Sequence, residues 1–304
     1  MLAAPDMLKQ VGDVRTLAAV LPADADRIIM LLRQGARGEE VKALQRGLNK
    51  LGELVLVDGG FGSGTAQAVS AARITLGVPG PPEADDTFQA ALQAAPDPFP
   101  PITAAGMTFI AREEVSDGTT YRRKYQRPCL PPFPSGVTIG IGYDCRFVDR
   151  AQLEADWQGV LSPQAIALLE PALGIPGTPF LCERAAAVTI TLGDAMRVFA
   201  ARSLPKYFDL TRRIYPAVAD QILNAAQRTA LVSLVYNRGA DLAGERRREM
   251  LTIQSLLRHG RLGEVPAQFE SMTRLWQNVA SGLVKRRRAE ATLWQSGFGA
   301  LQLD

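Results

Sequence analysis

The chain is poor in the residues that most often organise metal centres and crosslinks. Of 304 residues, one is histidine, His259, and three are cysteine, Cys129, Cys145 and Cys182. A single histidine and no C-x-x-C pair argue against a zinc centre built from several His and Cys ligands. They leave a Ser-His-Asp triad only if His259 serves it. His259 sits in Leu257-Arg258-His259-Gly260, which reads as a helix end, where the dipole favours a cationic side chain. An odd cysteine count argues against a disulfide framework. No run of about 18 apolar residues is present, so stable membrane insertion is not expected. The net charge is only +3, from 34 basic and 31 acidic side chains. That is too little to argue for nucleic acid, though it is compatible with a mildly anionic partner. Neither a metal nor an organic cofactor is expected. If the chain is an enzyme, its chemistry falls to carboxylates.

What is present is a globular composition, 47% hydrophobic and 21% charged, which can bury a core. The length favours two domains. Leu17-Ala18-Ala19-Val20-Leu21, followed by Ala23-Asp24-Ala25, loosely resembles a signal-cleavage region. The apolar stretch is shorter than the roughly 7–15 residues a signal needs. Segment 1–28 therefore reads as an N-terminal extension, and synthesis in the cytoplasm without a clear signal peptide is expected. Pro96, Pro98, Pro100 and Pro101 block helix and central strand, which makes 96–102 a semi-rigid linker. The linker divides a unit at 29–95 from one at 103–304.

In the first unit, Val41, Leu44, Leu48 and Leu51 fall on one helical face, and Gly52 follows where a positive φ is needed. A glycine-dense turn, Val57-Asp58-Gly59-Gly60-Phe61-Gly62-Ser63-Gly64-Thr65, leads to a second helix through Ala68, Val69, Ala72 and Leu76, and a third follows Asp85-Asp86-Thr87. Three short helices around a small core are expected. Leu32-Arg33-x-Gly35-x-Arg37-Gly38-x-x-Val41-x-x-Leu44-Gln45-x-x-Leu48-x-x-Leu51-Gly52, then Val57-Asp58-Gly59-x-Phe61-Gly62-x-x-Thr65-x-x-Ala68-Val69, resembles the peptidoglycan-binding domain type 1 family. The resemblance implies wall binding through Asp58, Phe61, Gly62 and Thr65, with Asp58 and the backbone around Phe61-Gly62 bonding sugar hydroxyls or the stem peptide; the Phe61 ring itself reads equally as core or as ligand platform. Ala72-Arg73 stands where the family usually has Phe-Gln.

The second unit opens on Ala104 to Val115, where Ala104, Met107, Ile110 and Ala111 share a helical face and Glu114 falls within it, with Glu113 at the edge. Burial raises a carboxyl's pKa unless a cation opposes it, and a raised pKa suits a general acid at neutral pH. Gly136-Val137-Thr138-Ile139-Gly140-Ile141-Gly142-Tyr143-Asp144 alternates with period two and reads as a strand. Its open face, carrying Thr138, Gly140, Gly142 and Asp144, is stripped by two glycines so that a ligand can approach the backbone.

A helix bearing Glu, then Thr-Ile-Gly-Ile-Gly, resembles the phage-type lysozymes, glycoside hydrolase family 24. Gln227 to Gly239 is similar to that family's central helix and Gly282 to Gly297 to its closing helix. The resemblance implies a mainly α lysozyme-like domain with a small β-hairpin region. It implies Glu114 as catalytic acid, followed at +7 by Tyr121, with Thr138 positioning the attacking water. It also implies Arg286, or Arg287 if the register slips by one, as the partner of the acid. Tyr143, Asn237 and Arg286 become the substrate-contacting candidates. The family's second carboxylate is missing: Arg123 stands there, and no Asp or Glu lies between Asp117 and Asp144. Asp144 is the candidate replacement and Asp117 the weaker one.

Two mechanisms then stay open. An inverting hydrolase needs a base and a water, whereas lytic transglycosylation uses the sugar's own 6-hydroxyl and Glu114 alone. Arg122-Arg123-Lys124 and Arg246-Arg247-Arg248 read as solvated surfaces, with binding of anionic wall polymer or outer-membrane phosphate as the alternative. Trp294 reads as core, and so does Trp276, with the cleft as its alternative. The chain thus reads as a modular, monomeric enzyme that acts on bacterial peptidoglycan at the cell wall, with its small module raising the local concentration of scissile bonds. The alternative is a wall-binding or phage structural protein with an inactive lysozyme fold.

Overall fold

The computed structural model describes residues 31–131, 135–277 and 279–297, so the extension expected at 1–28 lies outside the described residues. Three helices form the first unit. α1 (Glu39–Lys50) buries Val41, Leu44 and Leu48, and Gly52 beyond it takes φ +89°. α2 (Ser63–Leu76) ends on Gly77 in the left-handed conformation. α3 (Asp86–Ala94) starts at Asp85, whose carboxylate accepts the Phe88 N–H at 2.8 Å. Their apolar faces close on one small core. Arg73, at the departure from the family pattern, is 2% exposed. Its guanidinium donates to the carbonyls of Val78 and Glu83 and pairs with Asp85 at 2.6 Å. The substitution thus serves as a staple across the 78–85 loop.

In the second unit, α4 (Ala104–Val115) begins on Thr103, whose hydroxyl accepts the Gly106 N–H at 3.3 Å. Short helices α5 (Arg150–Asp156), α6 (Pro163–Leu169), α7 (Pro179–Arg184) and α8 (Leu192–Val198) lead to α9 (Leu204–Ile214). The central helix α10 (Ala225–Arg238) starts with a capping box between Asn224 and Gln227 and is buried from Thr229 to Tyr236. α11 (Arg248–Arg258), α12 (Val265–Met272) and α13 (Ser281–Ser296) complete the domain. α10 packs on α4, α9 and α13. His259 caps α11, and its ring Nδ1 meets the Ser255 carbonyl at 2.8 Å. No described helix is long and apolar enough to cross a membrane.

The stretch 136–144 is not the single strand its alternation suggests. It is a hairpin: β1 (Thr138–Ile139) pairs antiparallel with β2 (Tyr143–Asp144), Thr138 opposite Asp144. Gly140 and Gly142 take φ +58° and +67°, so the chain reverses where a continuous strand was expected. Val137, Ile139 and Ile141 are all buried. The mainly helical fold with one small hairpin stands.

The proline-rich stretch packs rather than spans. Phe99 lies edge-on to Phe208 at 5.8 Å, and Ile102 is fully buried in the larger core. From the first unit, Leu54 enters that same core at 1% exposure, although its own φ is +50°. A left-handed leucine costs about 1–2 kcal/mol, against roughly 1.5–3 kcal/mol for burying the side chain, so insertion wins. Gly52 lies against Met196, which a Cβ there would meet at 2.7 Å. The semi-rigid linker expected at 96–102 thus lies packed against the larger core through Phe99 and Ile102, beside a joint formed by Gly52 and Leu54.

Candidate active site

Glu114 stands in the last turn of α4 with its side chain 22% exposed. Its Oε1 accepts from Arg286 Nη1 at 2.6 Å. Arg286 is 2% exposed and donates from Nε to Ser233 Oγ at 3.2 Å and from Nη2 to the Ser233 carbonyl at 3.1 Å. Ser233 Oγ in turn donates to Glu290 at 2.6 Å, and Arg287 donates to the same carboxylate oxygen at 2.5 Å. α4, α10 and α13 therefore meet in one buried ionic network. Rotation along α13 turns Arg286 to Glu114, with Glu290 also 3.5 Å from its Nε, and turns Arg287 to Glu290. Glu113, half-buried beside them, is raised by burial, against which the Arg286 charge pulls it down.

The other oxygen of Glu114 faces the hairpin. A methyl on Gly142 would stand 3.2 Å from Glu114 Oε2, so bare backbone at Gly142 is what admits the carboxylate. Tyr236 fixes that corner by donating its hydroxyl to the Ile141 carbonyl at 2.8 Å. The Tyr207 ring lies 4.3 Å from the Tyr236 ring. Gly142, Tyr143, Asp144, Asp156, Tyr207 and Tyr236 line a cleft of about 420 Å³. Tyr143 donates its hydroxyl to Asp156 Oδ2 at 2.8 Å; burial and that bond both push its pKa up.

Asp144 lines the cleft, but its carboxylate also braces the hairpin. The Gly136 N–H donates to both its oxygens at 3.0 and 3.1 Å, and the Arg146 N–H donates to Oδ1 at 2.9 Å. Thr138 is 8% exposed, with its hydroxyl donating to the Gly136 carbonyl at 3.3 Å. It backs the hairpin and is not among the cleft-lining residues. Asp117 caps the turn after α4. Burial alone would raise its pKa, but bonds from the Thr120 N–H and hydroxyl bring it below the usual value.

A family model described as "Phage lysozyme" matches residues 125–290. The chain belongs to the phage lysozyme family. The match takes in the hairpin, α10 and Arg286, and it begins after the helix that carries Glu114. A second model, described as "Putative peptidoglycan binding domain", matches residues 37–72. No curated protein matches the chain. This member of the phage lysozyme family therefore joins a lysozyme domain to a peptidoglycan-binding domain, the architecture of a modular cell-wall-degrading enzyme.

Within this lysozyme domain, the sequence reading missed Tyr207, Tyr236 and Asp156 as cleft residues. Tyr236 is buried on a helix whose pattern reads as core, and Tyr207 and Asp156 belong to no motif. Asn237 is exposed and lines a different pocket, with Arg238, Arg246 and Trp276; it does not join the Gly142 cleft. Arg238 lies 4.8 Å over the Trp276 ring there. In the small domain, Phe61 is 2% exposed and belongs to the core, so of its two readings the structure takes core, and its ring is not a wall-binding platform. Gln45 Nε2 donates to Asp58 at 2.8 Å and to Thr65 Oγ1 at 3.3 Å. The Gly60 N–H and then Gln45 hold the Asp58 carboxyl below its ordinary value. Asp58, Gly62 and Thr65 share one groove with Asp117, Thr119 and Arg122 of the lysozyme domain.

Proposed function

We propose that the protein cleaves the β-1,4 bond between N-acetylmuramic acid and N-acetylglucosamine in bacterial peptidoglycan, with Glu114 as the acid. One observation carries this reading. Glu114 is divided between two tasks, one oxygen held by Arg286 at 2.6 Å and the other turned to the bare backbone of Gly142, which lines the cleft while Glu114 stands behind it. An oxygen in that position can hand a proton to the leaving glycosidic oxygen and so lower the barrier to the oxocarbenium-like transition state. Asp144 is the carboxylate that holds the attacking water, and the bond is cleaved by hydrolysis with inversion. Thr138 acts through Gly136, whose N–H fixes Asp144. Tyr143 and Tyr207 flank the sugar. Asp58, Gly62 and Thr65 serve the wall-binding side, and the enzyme works as a monomer at the wall.

The backbone bonds to both oxygens of Asp144 favour a second reading. With that carboxylate occupied, Glu114 acts first as acid and then as base, and the muramic 6-hydroxyl attacks. Mass spectrometry of soluble products from purified peptidoglycan separates the two. Reducing-end muropeptides identify hydrolysis and anhydro-muropeptides transglycosylation. No products from a protein that still sediments with the wall would overturn both readings and leave a binding protein.

A further inference from the structure

The joint between the two domains contains a groove that the chemistry at Glu114 does not use. One wall is the glycine-rich loop of the small domain and the other is the turn Asp117–Thr119 with Arg122, which directly follows the Glu114 helix. Gly62 and Gly64 have open space where a Cβ would stand, so a ligand can lie against their backbone. Glu53 lines the groove at 7% exposure. Among the described residues no hydrogen bond ties its carboxyl, which opens on the groove. Arg122 is near enough to act on Glu53 through its charge, but it spends its Nη2 donor on Gln67 Oε1 at 3.1 Å. Burial pushes Glu53 up to about 7, with the Arg122 charge pulling against it.

We propose that this groove is a peptide subsite in which Glu53 receives the free ammonium group of a diamino acid in the peptidoglycan stem peptide. The inference rests on peptidoglycan being the substrate and assigns which part of it the joint recognises. A bound ammonium supplies the missing donor and ionises Glu53, and Arg122 stands where a carboxylate on the same amino acid would be met. Recognition of the peptide here places the glycan strand on the face that continues into the Glu114 helix.

The test uses the full chain and a purified disaccharide-tripeptide ending in a diamino acid, with its side-chain amine free or N-acetylated. Calorimetric titration of the wild type is expected to show at least tenfold tighter binding of the free amine. Glu53→Gln, which keeps the shape and removes the charge, is expected to bring the two forms within about twofold. Equal binding of both forms by the wild type, discrimination that survives in Glu53→Gln, or no binding of either form overturns the proposal. Cleavage of glycan strands stripped of peptide is measured alongside. If the wild type leaves those strands uncut and releases no saccharide ends from intact, peptide-bearing peptidoglycan either, while the amine discrimination holds, the glycosidase reading fails and the peptide subsite stands.

Discussion

Arg286 reaches Glu114 at 2.6 Å across 172 positions of sequence, which ties α13, the last described helix, to the first helix of the lysozyme domain. The same guanidinium is anchored twice on Ser233 of the central helix. Removing one partner of a buried pair leaves an uncompensated charge, at a cost of about 3–5 kcal/mol. Arg286→Ala is therefore expected to lower thermal stability by that order and to abolish wall lysis. Arg286→Lys retains the charge without the planar fork, and should fold while losing at least about tenfold in activity. Denaturant titration and turbidity loss of wall suspensions read both effects, and an Arg286→Ala protein of wild-type stability would contradict the network.

Gly142 combines φ +67° with a site 3.2 Å from Glu114 Oε2 for any added methyl. Gly142→Ala is expected to destabilise by about 1–2 kcal/mol through the left-handed backbone, and to cut the rate of wall cleavage far more than that loss of stability accounts for. The comparison is made well below the melting temperature. A stable alanine variant with unchanged rate would show that the hairpin backbone does not shape the site.

The pKa of Glu53, about 7 in the folded chain against an ordinary 4.5, fixes a sign. A carboxyl raised on folding holds its proton in the native state, so its contribution to stability is complete below about pH 4.5 and is lost as pH rises through 7. The expected loss from this group is at most about 3 kcal/mol. Glu53→Gln should flatten the fall between pH 5 and 8 relative to the wild type. Parallel profiles would mean that Glu53 is not titrating in that window.

Leu54 belongs to the small domain by sequence and to the larger core by packing. Leu54→Ala should cost about 2–5 kcal/mol. It should also split a single calorimetric transition into two, because it loosens the joint between the domains. A single unsplit transition at the wild-type temperature would contradict the packed joint.

The helices of the small domain were legible because their signals are local: Gly52 and Gly77 end α1 and α2, and Asp85 caps α3. The ionic partner of Glu114 was narrowed to two neighbouring arginines, and only the packing of α13 could choose between them. The hairpin was misread as one strand because alternation cannot distinguish a pleat from a turn whose glycines take positive φ. Asn237 was misplaced and Phe61 left open between core and platform for a related reason, since a motif position does not say which way a side chain faces. Leu54, Glu53 and Tyr207 left no signal at all. Their roles come from contacts between segments far apart in sequence, which no local pattern records.

The central claim, that Glu114 is the acid, is tested most directly by release of new saccharide ends from purified peptidoglycan by the wild type, Glu114→Gln and Glu113→Gln, with wall binding measured on the same samples. Loss of a positioned acid costs about 10²–10⁴-fold. The account predicts a fall of that order for Glu114→Gln with wall binding intact, and near wild-type rates for Glu113→Gln. A Glu114→Gln protein that cleaves at the wild-type rate would contradict it.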